Sequence, residues 1–192
     1  MAFRVATDCL EGEDARPISV FCSRYGAFSR AFEILSDLAR DEPVSPMAFS
    51  LSVHNTASSL FSIMREDTSH STALAAGEAT LEAGFLECWS LLQEDTAQTA
   101  LLVYSDQVLP ELYADQETTV SDSAALAFLL RLPGGKQQAP ALGLSWRSNR
   151  GAKAAVENSA LRVLRLLLKG GDPIVLDTGR LTWTWSWHGS AA

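Results

Sequence analysis

The stretch Ser45-Pro46-Met47-Ala48-Phe49-Ser50-Leu51-Ser52-Val53-His54-Asn55-Thr56-Ala57-Ser58-Ser59-Leu60-Phe61-Ser62-Ile63-Met64 lies in a segment without Asp, Glu, Lys or Arg between Glu42 and Arg65. So long a run without charge is expected to be buried. Just upstream, Ile18-Ser19-Val20-Phe21-Cys22 is a short apolar, β-leaning run closed by Ser23-Arg24-Tyr25-Gly26, the pattern of a buried strand and turn. Phe28, Ala31, Phe32, Leu35 and Leu38 then recur at helical spacing on one face until Asp41, Glu42 and Pro43 stop it. Just downstream, Ser71 to Ala76 are small and apolar. After Gly77 the amphipathic series Leu81, Phe85, Cys88, Trp89 and Leu92 follows, giving strand, tight turn and helix.

Further out, Ala100-Leu101-Leu102-Val103-Tyr104 reads as a second buried strand, and Ala124 to Leu132 as a third before the break Pro133-Gly134-Gly135. Asp106 and Pro110 end the first of these two and shape a loop. Gln137 to Arg150 is irregular. Ala160 to Leu168 reads as helix, capped by Gly170-Gly171. Leu181, Trp183, Trp185 and Trp187 alternate with Thr182, Thr184 and Ser186, a half-buried terminal strand. The opening, Met1 to Ala6, reads as helix. Strands alternating with helices indicate an α/β sheet, with no internal repeat.

At 192 residues and 47% hydrophobic content the chain can bury one substantial core, and one domain over 1–192 is expected. No apolar run reaches the roughly 20 residues of a membrane span, and the charged start is no signal peptide, so a cytoplasmic location is expected. A net charge of -8 counts against nucleic-acid binding, which requires clustered cations, and favours a basic partner. Cys9, Cys22 and Cys88 lack CxxC spacing and read as small buried residues; neither a disulfide framework, a metal site nor a cofactor is indicated. His54, His70 and His188 are scattered, and no GxSxG, Walker, GxGxxG or HExxH pattern occurs. Arg162, Arg165 and Lys169 share one helix face, best read as solvated.

Ser45-Pro46, the apolar stretch behind it, Asn55 and Ser62-Ile63-Met64 reproduce an order and spacing that resemble the β-ketoacyl synthases of fatty-acid and polyketide synthesis. VFCSRYGAF resembles the ketosynthase strand and glycine-containing turn before the interface helix, and LLVYSD with Ala124–Leu132 resembles its next two strands. The resemblance covers Ala15 to Leu132; residues 133–192, a helix plus a terminal strand, match only in general character. Within the family, FSLSVHN together with VFCSRYG looks most like the chain length factors of aryl polyene-type pathways. The implied fold is a thiolase-like α/β half-fold, a mixed sheet with helices on its faces. The family's first strand would precede Met1, so the sheet is expected to lack it and to bare an edge.

Aligned in this way, the strand that leads to the family's nucleophile falls on Ser71–Gly77 and the nucleophilic cysteine on Glu78. Condensation needs a thiolate at that strand-to-helix elbow, and a carboxylate cannot replace it in thioester exchange. His70-Ser71 also stands where the family usually has Gly-Pro, and Ser58-Ser59 where it has Ala-Gly. The family's catalytic histidines come from a second half for which 192 residues leave no room. The resemblance therefore implies a subunit with no catalytic residue, paired as a heterodimer with an active β-ketoacyl synthase and meeting an acyl carrier protein through that complex. By position, Tyr25, Phe28 and Phe32 would wall the partner's acyl tunnel, with Phe49, Asn55 and Phe61 along the interface helix. The plain alternative is that these aromatics form the domain's own core. Two other functions compete: an enzyme in which Glu78 assists malonyl-thioester decarboxylation or in which Cys22 or Cys88 is a displaced nucleophile, and a degenerate thiolase-like scaffold.

Overall fold

The computed structural model describes residues 1–13, 16–94, 98–113, 123–132, 141–149 and 159–189. They form two compact units, Met1–Leu130 and Arg131–Ala192. The Pro133-Gly134-Gly135 break lies outside the described residues.

The first unit runs α1 (Ala2–Cys9), β1 (Ile18–Cys22), α2 (Phe28–Ala39), α3 (Pro46–Ser50), α4 (Thr56–Arg65), β2 (Ser71–Leu74), a 3-10 turn (Gly77–Ala79), α5 (Thr80–Gln93), β3 (Ala100–Asp106), a second 3-10 turn (Glu111–Tyr113) and β4 (Ala124–Leu130). The sheet order is β2-β1-β3-β4. β1 is parallel to both β2 and β3, and β4 is antiparallel to β3, with Asp106 opposite Ala124. The mixed sheet with helices on its faces is thus the expected α/β class.

Period two assigns the strand residues to opposite faces. Phe21, Leu101 and Val103 meet Ala6, Leu10 and Phe61, so α1 and α4 cover one face. Cys22 and Leu102 point to the other, where α5 lies so close that a Cβ on Gly84 would sit 2.2 Å from the Cys22 Sγ. Covered on both faces, β3 reads as a continuous apolar run, as parallel strands do.

The expectation that residues 45–63 are buried is corrected. Met47, Phe49, Val53 and Ile63 are 73%, 64%, 47% and 71% exposed. Helix α4 touches the sheet along a single stripe, where Ser58 and Phe61 are its buried residues. Freedom from charge has here produced apolar surface, not core. On α2 the face anticipated from Leu35 and Leu38 is likewise open, and Ile34 is the residue buried.

The second unit holds β5 (Ala141–Ser148), α6 (Ser159–Lys169), β6 (Ile174–Asp177) and β7 (Leu181–His188). The antiparallel sheet order is β5-β7-β6. Trp183 and Trp185 of β7 are buried, as its alternation anticipated, and Gly170, with φ +64, closes α6 by donating its N–H to the Leu166 carbonyl. Reading 137–150 as irregular is corrected over Ala141–Ser148: Leu142, Leu144 and Trp146 alternate on a strand whose other positions, Gly143, Ser145 and Arg147, weaken the signal. Strand β6, four residues behind Pro173, was too short to be read.

Candidate functional site

Three strand ends converge in the first unit: the turn Ser23–Gly26 after β1, the elbow Gly77–Ala79 after β2, and Asp106 at the end of β3. Parallel pairing of β1 with β2 and β3 brings these carboxyl ends together.

The turn is held mainly by Asp106, which is 1% exposed. One carboxylate oxygen accepts from the Ser23 hydroxyl at 2.9 Å and from the Arg24 backbone N–H at 2.7 Å. The other accepts from the Tyr104 hydroxyl at 2.7 Å. Charged hydrogen bonds of this kind contribute about 1.5–3 kcal/mol each. Burial, then the neighbouring Asp106 charge, pushes the Tyr104 hydroxyl well above its usual range, which keeps it a donor. Ser23 Oγ in turn accepts from the Gly26 N–H. Gly26 has φ +61, and a Cβ there would approach the His54 ring to 2.9 Å. Both facts require glycine at 26. His54 Nε2 lies 2.9 Å from the Ser23 carbonyl, which ties the loop between α3 and α4 to the same turn.

The elbow places Gly77 at φ +59, and Thr80 staples it from inside: the Thr80 hydroxyl donates to the Gly77 carbonyl and accepts from the Ala76 N–H. Glu78 sits in this turn, just ahead of α5. Its carboxylate meets the Arg24 guanidinium at 3.4 Å, with side chains only 10% and 11% exposed. Arg24 also lies over the Tyr25 ring, 5.2 Å from the centroid.

Tyr25, Phe28 and Phe32 form one aromatic group. Phe28 stands edge-on to Tyr25 at 6.4 Å and to Tyr113 at 5.0 Å, and Phe32 edge-on to Tyr113 at 6.0 Å. Phe49 is exposed on α3, and Asn55 is exposed at the start of α4. Phe61 is different. At 5% exposure it packs on Phe21, ring centres 5.4 Å apart, within the core of its own unit.

The cysteines are elsewhere. Cys22 ends β1, Cys88 lies in the body of α5, and Cys9 ends α1. Burial, then Asp106 and Glu87, pushes the Cys22 thiol up to about 12. Cys88 is displaced further in the same direction, chiefly by burial, and Cys9 also upward for the same first reason. A cavity of about 400 Å³ opens between α1, α2, α4 and the sheet; Phe3, Phe21, Ala57 and Leu60 line it, with Arg30, Glu33 and His54 among its polar members. It is on the face away from α5. Among the described residues no group of His, Cys, Asp and Glu could hold a metal, and no helix is long and apolar enough to cross a membrane.

Three residues that matter here were not singled out for these roles from the sequence. Asp106 reads from the sequence as loop-shaping, yet an acid closing a strand that opens on the apolar run Ala100–Val103 is itself a sign of a buried anchor. Tyr113 sits one turn beyond Pro110, whose carbonyl accepts its N–H. Arg24 had no sequence signal separating it from a surface turn residue.

Comparison with known proteins agrees with the geometry. Residues 1–186 match the family model of the β-ketoacyl synthase N-terminal domain. The structure is similar to a chain of the complex of the ketosynthase ApeO with its chain length factor ApeC from Xenorhabdus doucetiae, at TM-score 0.80 and 26% identity, covering 96% of this chain and 76% of that one. It also resembles the ishigamide ketosynthase/chain length factor, at TM-score 0.56 and 14% identity, covering 70% of this chain but 42% of the other. Similarity to the tetronic acid condensing enzyme AbyA1 is at TM-score 0.50 and 16% identity, covering 78% of this chain and 42% of that one. No curated protein matches. The match over residues 1–186, on a sheet whose strand ends build the elbow and turn described above, means that the chain belongs to the β-ketoacyl synthase N-terminal domain family.

Proposed function

We propose that this chain is a noncatalytic ketosynthase-like subunit, a chain length factor, which pairs with an active β-ketoacyl synthase and shapes its acyl tunnel while a chain grows on an acyl carrier protein. The observation that carries this reading is the elbow itself. Where a condensing enzyme needs a thiolate, this chain has Glu78, held by Arg24 at 3.4 Å. A carboxylate there cannot carry an acyl group through thioester exchange. The thiols nearby offer no substitute, because Cys22 and Cys88 are 2% and 0% exposed and burial raises both. A thiolate at neutral pH needs the opposite environment.

Pairing is supported by apolar surface. Leu35, Leu38, Met47, Phe49, Val53, Ile63 and Met64, all within thirty residues of α2 to α4, are each about half exposed or more. Scattered single residues need no explanation, but a concentration of this kind favours a protein partner. In this reading Phe49 and Asn55 face the partner and Tyr25, Phe28 and Phe32 wall the tunnel, while Phe61, on the interface helix, packs into the core of its own unit. The mechanism is steric: packed interiors resist even one added methylene, so side-chain bulk at the wall limits chain growth. The family match runs through both compact units, which supports treating 1–192 as one domain, and the assembly is taken to be cytoplasmic, as the sequence reading expects.

Co-expression with candidate partner ketosynthases tests the proposal. We expect a stable one-to-one complex, longer products with Phe28→Ala or Phe32→Ala, and shorter ones with Ala31→Phe. A monodisperse monomer that ignores every ketosynthase would overturn it. Malonyl-carrier decarboxylation that falls in Glu78→Ala would instead favour the enzymatic reading.

A further inference from the structure

Glu78 is not inert filling at the elbow. Its carboxylate and the Arg24 guanidinium, 3.4 Å apart and about nine-tenths buried, join two strand ends that are remote in sequence. Arg24 in turn lies over Tyr25, the first ring of the aromatic group that continues through Phe28 to Tyr113 and Phe32. The Arg24 backbone is fixed independently, through its N–H on Asp106 at 2.7 Å. The main chain of the turn is therefore anchored from β3 and the side chain from the elbow. A long arginine side chain has many rotamers, and the partner at its tip selects one. A cation over an aromatic face then prefers one placement of the ring.

We propose that Glu78 is a positioning residue: through Arg24 it fixes the ring of Tyr25 and with it the edge-to-face series that begins there. The consequence for product length rests on the chain length factor reading above, whereas the positioning itself does not. A residue in the nucleophile's place thus sets the geometry of the wall instead of attacking a thioester. Glutamate supplies the charge and reach for this, and an uncharged glutamine of the same shape does not.

The chain has three tyrosines, so 3-fluorotyrosine labelling gives three fluorine resonances, assigned by Tyr25→Phe and Tyr113→Phe. In folded Glu78→Gln and in Arg24→Met the Tyr25 resonance should move and broaden, whereas Glu78→Asp, which keeps the charge that holds Arg24, should leave it closer to its original position. In the complex with the ketosynthase, Glu78→Gln should shift product length by at least one elongation cycle at undiminished complex yield. A Tyr25 resonance unmoved in both single variants overturns the positioning role. An altered resonance with an identical product spectrum overturns the link to length. If no ketosynthase accepts the chain, the functional reading fails while the fluorine spectra still decide the role of Glu78; should Arg24→Met fail to fold, Arg24→Lys, which keeps the charge but loses the planar fork, must give a shift between those of the parent and Glu78→Gln.

Discussion

In the four-stranded sheet every residue of β3 except Ser105 is buried, whereas β5 of the three-stranded sheet buries none of its eight. The first sheet is largely parallel and lies between α5 on one face and α1 with α4 on the other; the second is antiparallel and has its two buried tryptophans on β7. The comparison teaches where function collects. Parallel strands put their carboxyl ends on one side, so the turn at 23–26, the elbow at 77–79 and Asp106 can touch. An antiparallel sheet alternates its ends and brings no comparable set of turns together.

The largest expected effect is at the anchor of the first sheet. Asp106→Ala leaves the Tyr104 hydroxyl and the Arg24 N–H without their buried acceptor, and a loss of about 3 kcal/mol is expected in urea unfolding. A loss comparable to that of an exposed substitution would break the comparison.

The next pair sets one glycine of each sheet's packing against the other. At Gly84 a new Cβ meets the buried Cys22 Sγ at 2.2 Å and Leu102 Cδ1 at 2.9 Å, so Gly84→Ala should cost about 1–3 kcal/mol despite the better helix propensity of alanine. Adding Cys22→Gly should recover part of it. At Gly143 the Cβ meets the Ser186 Oγ at 2.5 Å and His188 Nε2 at 3.2 Å, the ends of side chains that can rotate toward solvent. Gly143→Ala should stay within about 0.5 kcal/mol. Equal penalties would show that the two sheets are packed alike.

A subtler effect concerns pH. An unfolded chain loses its thiol protons near the ordinary value of 9.0, whereas folded Cys22 holds its proton until about 12. The folded state thus binds more protons across that window, and stability is whole below pH 9 and declines as pH rises from 9 to 12. Chemical denaturation at stepped pH should show this decline, and Cys22→Ala should make it shallower. Alkylation at pH 8 should likewise reach Cys9 before Cys22 or Cys88, since Cys9 alone of the three is partly exposed.

How much of this was legible follows from the same contrast. The apolar runs at Ile18–Cys22 and Ala100–Tyr104 announce doubly covered strands because a parallel sheet tolerates no polar side on either face. The turn that carries Glu78 was legible, since Gly77 between the small residues of Ser71–Ala76 and the helical series from Leu81 marks a strand-to-helix elbow. The partner of Glu78 was not: an ion pair between residues 24 and 78 depends on how β1 and β2 align, and no local pattern encodes that. The exposure of Met47, Phe49 and Ile63 was misread because absence of charge signals contact with something apolar, without saying whether that is the same chain. β5 was overlooked because a half-exposed strand needs only Leu142, Leu144 and Trp146 to hold it, with Gly143 and Arg147 between them.

The central claim is that this chain shapes a cavity and never carries the growing acyl group. Peptide mapping by mass spectrometry, after an acyl carrier protein thioester is offered to the reconstituted complex, tests it most directly. The account predicts the acyl group on the ketosynthase cysteine and none on Cys9, Cys22, Cys88 or Glu78 of this chain. A stoichiometric acyl adduct on any of these four, lost when that residue is replaced, would contradict it.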